Sequence, residues 1–454
     1  MHMLKMSLYS NHYKSLLTLG LPIIVGQIGT IILGTADTLM IGHHSTQELA
    51  AAAFVNNLFI LVLIFSMGFS YGFTPIVGSL FGQGQNQKIG EFLKNSLVAN
   101  TLLAIIVTVL LSVIYLNIGR LGQPQELLPL MRPYFIVNLA SIPFVAWFNT
   151  FKQLSDGTGD TKTPMWILLS GNLLNILGNY ILIYGKMGLP ELGLLGAGIA
   201  TMISRILMAI AFFNLFFCTN KHLEIRKGYY RGSLNRKDFT LLNKLGWPLA
   251  LQMGMETAAF SLSSVMVGWI GTTALAAHQI ILTISQFFYM VYYGMAAAVA
   301  VRSSHFHGQQ DYQNIQHTVT AGFHLILGMA VMISIPVLIY RNSLGGWFTD
   351  TPEVTALVSQ VIIMLFVYQF GDGMQCNYSN ALRGISDVKP LTIVAFIAYF
   401  VISLPTGYLL GIHYQYGLLG IWAAFPIGLT TAGILYYYFF KRRLAAYTKE
   451  ATRG

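Results

Sequence analysis

The sequence predicts an all-α polytopic membrane protein with twelve transmembrane helices in two six-helix lobes, related by a pseudo-two-fold axis along the membrane normal. Of its 454 residues, 55% are hydrophobic and only 9% are charged, whereas soluble domains carry about 25% charged residues. The apolar residues fall into twelve runs, and the second half of the chain repeats the first. A basic chain can also bind nucleic acid, but here the basic residues are scattered over loops, which excludes that class.

Each run is long enough to cross a bilayer as a helix, for which about 20 apolar residues are needed. The first run is itself a full span, so the N-terminal segment is not expected to be a cleaved signal. Pro22 and Pro248 are expected in the first turns of their helices, where proline costs little. The predicted spans are 14–41, 51–80, 93–118, 130–152, 164–185, 193–218, 241–270, 273–301, 316–340, 354–382, 390–411 and 417–440.

The duplication is visible at a displacement of 226 positions. Residues 19–89 align without a gap with residues 245–315, with 14 identities in 71 positions. Shared apolar composition alone gives roughly 5 or 6, so a repeated unit is indicated. Two halves of six spans insert the same way up, which places the shared pathway between them.

Lys and Arg define the expected orientation. With the N-terminus in the cytoplasm, 21 of the 26 basic residues lie on the cytoplasmic side, in agreement with the positive-inside rule. Both termini are then cytoplasmic, in what we expect to be a bacterial inner membrane. The longest polar interval separates the halves, so we predict an N-lobe at 1–218, a cytoplasmic linker at 219–240 and a C-lobe at 241–454.

Three acidic residues fall inside predicted spans: Asp37, Glu256 and Asp372. A charge at that depth costs about 2.5–3.5 kcal/mol or more, and such residues mark ion or substrate pathways. In the second half, Glu256 and Asp372 can share one site. Two carboxylates in a dry site do not both ionise readily, so they hold a proton or share a cation. Tyr368 lies one turn before Asp372 and can contribute from the same face.

In the first half, the fifth span carries a polar stripe. Asn172, Asn175 and Asn179 are spaced i, i+3 and i+7, which places them on one helical face. Such side chains need partners in hydrocarbon, so they are expected either to line a polar pocket with Asp37 or to join helices by hydrogen bonds. Thr201 in the sixth span can add a hydroxyl group to this pocket.

The eighth span is rich in aromatic residues and methionine. These residue types suit an apolar cavity for aromatic cations, although the same cluster can serve packing or an interfacial belt. The predicted cavity residues are Gln279, Phe288, Tyr289, Met290 and Tyr292.

Together, these residues resemble a known family. Pro22, the run Ala36-Asp37-Thr38-x-Met40-x-Gly42, the pair Asn175 and Asn179-Tyr180, Glu256 and Asp372 are similar to the NorM-like branch of the multidrug and toxic compound extrusion (MATE) family. The resemblance covers essentially the whole chain. It implies a cation-coupled antiporter that exports cationic, often aromatic drugs by alternating access between two lobes.

Carried over residue by residue, the resemblance implies two polar sites. Glu256, Asp372 and Tyr368 are the cation site of the C-lobe. Asp37, Asn175, Asn179 and Thr201 are the site of the N-lobe. The coupling ion, Na+ or H+, is left open, as is the lobe that carries it.

Two other functional classes are compatible with a polytopic chain. A lipid-linked oligosaccharide flippase of related architecture is the alternative, but it is expected to bury more cationic residues for its pyrophosphate headgroup. An enzyme needs a nucleophile–base or metal-ligand constellation, and none stands out in the spans. The sequence therefore predicts no cofactor or structural metal, no nucleic-acid partner and no obligatory protein partner, only small organic cations and the lipid bilayer. It assigns no role to Arg205.

Overall fold

The structure, a computed structural model, describes residues 2–451, and the side chains of residues 9–450. Within that part the chain is helical between short turns and has no β-strand. The helices are α1 (His2–His44), α2 (Thr46–Ser70), α3 (Phe73–Gly82), α4 (Asn86–Leu116), α5 (Leu128–Ala140), α6 (Ile142–Gly157), α7 (Lys162–Ile183), α8 (Gly193–Cys218), α9 (Leu223–Arg231), α10 (Arg236–Ile270), α11 (Thr272–Gly308), α12 (Tyr312–Ile339), α13 (Arg341–Leu344), α14 (Pro352–Gly384), α15 (Lys389–Ala395), α16 (Leu404–Tyr408) and α17 (Gly417–Ala451). Two π-helical segments, Phe396–Ser403 and Leu409–His413, flank α16.

Eleven helical runs in the described part are long and apolar enough to cross a membrane, and they correspond to eleven of the predicted spans. The remaining predicted span is α10, which is 35 residues long. Polar residues near its middle, among them Gln252 and Glu256, make it less apolar than the others. The least apolar span is therefore one of the three that carry a carboxylate.

The expectation for the two prolines is wrong. Pro22 and Pro248 lie in the interior of α1 and α10, because both helices begin well before the apolar run that marks the span. An interior proline removes one backbone hydrogen bond and clashes with the preceding turn. The carbonyl groups that these prolines leave without a helical donor lie four residues earlier, at Thr18 and Lys244.

The chain forms two compact units. One contains the residues up to Ile24 together with those from Leu251 onward, and the other is Val25–Ala250. The boundaries lie inside α1 and α10, so the first part of α1 packs with second-half helices. His12 Nδ1, for example, is 3.0 Å from Thr318 Oγ1.

A pair of glycines shows how the repeat is built into the packing. In one unit, a methyl group on Gly68 would lie 2.9 Å from the Ala250 Cα, so the helix backbones meet there. In the other unit, a methyl group on Gly294 would lie 2.9 Å from the Ile24 nitrogen. Both pairs obey the 226-residue displacement, and close approach of small residues is a common way to pack membrane helices.

The segment between α8 and α10 is held against the rest of its unit by α9. A methyl group on Gly90 of α4 would collide with the backbone of α9 at Ile225, so the two helices cross in direct contact. Nearby, Lys221 Nζ lies 2.5 Å from Asp160 Oδ2. Burial raises the pKa of Asp160, but hydrogen bonds from Lys221 and Thr163 outweigh it, and the pKa lies below its ordinary value.

Candidate functional site

The second-half carboxylates lie in one compact unit, on two different helices. Glu256 is half-buried on α10, and Asp372 on α14 is only 1% exposed. The two groups lie close enough for their charges to interact. The structure therefore brings together two acids that are 116 positions apart in the sequence.

Glu256 is held by neutral donors. The Tyr399 hydroxyl and the Gln375 amide both hydrogen-bond to its carboxylate. Gln375 Nε2 also donates to the Tyr399 oxygen at 3.1 Å, so the three groups form a closed triangle. Hydrogen bonds to an ionised group contribute more than neutral ones, yet none of these donors cancels the charge.

Asp372 is less well satisfied. Its Oδ1 faces the Cys376 thiol at 3.8 Å, which is a weak hydrogen bond. Its Oδ2 is buried and has no hydrogen-bond partner among the described residues. Within the same part of the chain, neither Asp372 nor Glu256 forms an ion pair. A buried carboxylate without a cation is costly, so this arrangement is suited to receiving one.

Tyr368 is placed where the sequence predicts it. It is 4% exposed on α14 and lies in electrostatic range of both carboxylates. Its ring packs against Trp422 and Phe425, with centroids 6.0 and 6.3 Å away. Packing therefore fixes the ring beside the site.

In the other unit, the polar stripe of α7 meets Asp37. Asn179 Nδ2 donates to Asp37 Oδ1 at 2.5 Å. The Asn175 amide is oriented so that its nitrogen faces an acceptor and its oxygen faces a donor. In this orientation it donates to the same Asp37 oxygen at 3.1 Å and accepts from Thr201 Oγ1 at 3.0 Å. The structure therefore joins four of the five predicted residues in one hydrogen-bonded cluster.

Asn172 is the exception. It is 6% exposed, but its Nδ2 has no hydrogen-bond partner in the described structure. Arg205, to which the sequence assigned no role, donates to Ser141 Oγ at 2.6 Å and lies in electrostatic range of Asp37. A half-buried cation thus accompanies the first-half carboxylate, which distinguishes it from the second-half pair.

The predicted cavity residues of α11 do not share one environment. Phe288 and Tyr292 are buried inside their unit, Tyr289 and Met290 are half-buried, and Gln279 is exposed. Tyr292 donates to Gln369 Oε1 at 3.1 Å, and Gln369 also accepts from Ser334. Helix packing accounts for Phe288 and Tyr292, and a substrate role for the set stays a prediction.

Gln375, Cys376 and Tyr399 also lie at this site, and the sequence pattern did not indicate them. Gln375 and Cys376 lie three and four residues after Asp372 on α14, a spacing that puts them on its face and could have revealed them. Tyr399 lies in a π-helical segment, where a 3.6-residue period does not assign faces. His278 was also missed: it accepts from Trp422 Nε1 at 3.0 Å and lies 2.9 Å from Ser264 Oγ.

A model of the MatE family matches the chain twice, at residues 22–181 and at residues 248–409. The two matches begin 226 residues apart, which is the displacement of the repeat, and together they cover most of the chain. The chain belongs to the MatE family. Proteins of the MatE family are transporters and not enzymes, and the chain is an integral membrane protein.

Individual relatives are similar to this chain over nearly its whole length. The multidrug resistance protein NorM of Photobacterium profundum is 29% identical over 442 residues, which cover 94% of each chain. A crystal structure of MATE in complex with MaL6 matches with a TM-score of 0.88 at 20% identity, covering 96% of this chain and 97% of the other. An outward-facing multidrug resistance MATE family transporter of the MOP superfamily matches with a TM-score of 0.87 at 18% identity and the same coverage. These structures confirm the all-α, twelve-helix, two-lobe fold.

Proposed function

We propose that this protein is an antiporter that exports organic cations in exchange for Na+ or H+ by alternating access. The single observation that carries the proposal is the second-half pair, in which the buried Asp372 Oδ2 has no partner among the described residues and the neighbouring, half-buried Glu256 has only neutral donors. Two adjacent negative charges without a cation are costly in a dry site. A positive passenger or a proton offsets that cost.

Exchange is expected because the organic cation and the coupling ion compete for the same negatively charged carboxylates. An organic cation and the coupling ion both stabilise the same carboxylates, so each lowers the affinity for the other. Relatives support the cargo class, since NorM of P. profundum is named as a multidrug resistance protein. The carboxylates favour a cationic cargo over the anionic headgroup of a lipid-linked sugar, which the flippase alternative would require.

The first-half cluster is proposed as a second cation or proton site. Asp37 accepts from two asparagines, and the nearby Arg205 offsets part of its charge. Because this carboxylate has a cationic neighbour and the second-half pair has none among the described residues, the second-half pair is the stronger candidate for the coupling ion.

We also propose the placement of the chain in the membrane. The distribution of Lys and Arg supports a bacterial cytoplasmic membrane with both termini in the cytoplasm. The lobes are then residues 1–218 and 241–454, with residues 219–240 as the cytoplasmic linker. A cysteine accessibility map of tagged termini in spheroplasts tests this topology: labelling of either terminus from outside contradicts it.

Efflux from proteoliposomes tests the function. Ethidium efflux is measured with a Na+ gradient alone and with a proton gradient alone, for the native protein and for Glu256→Gln and Asp372→Asn. Each substitution is expected to abolish the gradient-driven component. Asp387→Asn is the matched control, because Asp387 lies in a turn outside the spans and faces Arg443 at 3.7 Å. If both site variants retain gradient-driven efflux, the assignment is wrong.

A further inference from the structure

Gln375 connects the two second-half carboxylates. On one side, its amide nitrogen donates to Tyr399 and to Glu256. On the other side, its Oε1 lies 3.4 Å from the Cys376 sulfur, and that sulfur lies 3.8 Å from Asp372 Oδ1. Among the described side chains, this is the hydrogen-bonded route that links one acid to the other.

The geometry of α14 makes this route. Asp372, Gln375 and Cys376 are spaced i, i+3 and i+4, so they share a helical face. Gln375 is 2% exposed and Cys376 is 3% exposed, and water therefore has little access to the chain of contacts. The groups that face Asp372 electrostatically are Glu256, Tyr289, Tyr292, Tyr368, Cys376 and Tyr399.

Through this connection, the hydrogen bonds of Glu256 set the orientation of the Gln375 amide, and that amide in turn affects the Cys376 thiol beside Asp372. A glutamine amide has two N–H donors and one carbonyl acceptor, and here both donors are engaged by Glu256 and Tyr399. The carbonyl is thereby fixed towards the Cys376 thiol. That thiol has one proton, which it can give to Gln375 Oε1 or to Asp372 Oδ1. A cation on Asp372 frees the thiol proton to hydrogen-bond to Gln375 Oε1. A cation on Glu256 changes how Gln375 divides its two N–H donors between Glu256 and Tyr399.

We propose that Gln375 is a positioning residue that makes Glu256 and Asp372 one coupled cation site, with Cys376 completing the link. This inference rests on the proposed function. A cation bound at one carboxylate then changes the cation affinity of the other through the neutral side chain of Gln375, in addition to the direct repulsion between the two carboxylates. Without Gln375, the two acids act more independently.

A double-mutant cycle tests the coupling. Ethidium affinity is measured by fluorescence in detergent for the native protein, Glu256→Gln, Asp372→Asn and the double variant, and the four are repeated in a Gln375→Met background. Groups in one hydrogen-bond network deviate from additivity by about 2- to 150-fold in affinity. We expect about a tenfold deviation with Gln375 present and only about a threefold deviation in the Gln375→Met background, where direct repulsion between the two carboxylates still couples them.

Gln369→Met is the matched control. Gln369 is also a buried glutamine of α14, 3% exposed, but it bonds Tyr292 and Ser334 and not the carboxylates. The cycle is expected to keep its tenfold deviation in this background. A loss of coupling in both backgrounds shows a general packing effect and overturns the inference.

Cys376 gives a second route to the same answer if Gln375→Met does not fold. Cys376→Ala removes the link and is expected to lower the deviation to about threefold, the part that direct repulsion supplies. Cys376→Ser keeps a donor and is expected to restore it. If the alanine variant keeps the coupling, or the serine variant fails to restore it, the inference is wrong. If neither Glu256→Gln nor Asp372→Asn changes ethidium affinity in the native background, the proposed function itself fails.

Discussion

If the second-half pair binds the coupling ion as proposed, removing the charge of Asp372 is expected to abolish the stabilisation of the protein by that ion. Asp372 is 1% exposed, its Oδ2 has no partner among the described residues, and a thiol is the donor to its Oδ1. An unpaired buried carboxylate carries a net penalty of several kcal/mol, part of which a bound cation recovers. An ion at 100 times its Kd stabilises the folded state by about 2.7 kcal/mol, and Asp372→Asn should lose most of that increment.

The assay is thermal unfolding of the detergent-solubilised protein. The Tm is followed while NaCl replaces choline chloride at constant ionic strength, and separately as the pH is lowered. The native protein is expected to gain several degrees with one of the two ions, and Asp372→Asn is expected to gain little. Asp387→Asn, which removes a charge outside the spans, should respond like the native protein. An unchanged ion response in Asp372→Asn refutes the reasoning.

Three further predictions concern other parts of the fold. Asn179→Ala removes the 2.5 Å donor to the first-half carboxylate and should alter the ion dependence of efflux, whereas Asn100→Ala, at another buried asparagine, should lower stability without altering it. Gly90→Ala should expose the segment between α8 and α10 to limited proteolysis, and Gly328→Ala, where a methyl group meets no neighbour, should not. Asp160→Asn should cost at most about 1 kcal/mol of stability at neutral pH, because the ion pair is partly exposed. Since the pKa of Asp160 is lowered in the folded protein, the stability difference between the native protein and the variant should be full above about pH 4 and vanish as the pH falls further. Urea unfolding at several pH values measures it.

The repeat and the polar stripe could be read from the sequence because each follows a regular period. The gapless alignment of 19–89 with 245–315 predicts equivalent contacts, and the crossings at Gly68 and Gly294 obey it. The stripe of Asn175 and Asn179 faces Asp37 because residues three, four and seven apart share a helical face.

The second-half site could be predicted only in part. The depth of Glu256 and Asp372 in apolar spans identified the carboxylates, since a charge there is costly. Their donors could not be found in this way, because Gln375 is an ordinary polar residue in sequence. Tyr399 faces Glu256 through a π-helical segment, and such a segment shifts the register of side chains relative to an α-helix.

The extent of the helices was also beyond the hydropathy pattern. α1 and α10 begin before their apolar runs, which moved Pro22 and Pro248 into helix interiors. The division into compact units likewise lies inside these two helices. Polar helical turns that precede a span are stabilised by tertiary packing, and hydropathy does not record such contacts.

Displacement of the coupling ion by an organic cation tests the central claim most directly. Protein in detergent is loaded with ²²Na+ at one pH, and in a second arm is held in weakly buffered solution with a pH indicator. Ethidium is then added to each. Ethidium is expected to release ²²Na+ or protons from the native protein and from neither Glu256→Gln nor Asp372→Asn. Ethidium binding that releases neither ion, and whose affinity is independent of Na+ and pH, contradicts it.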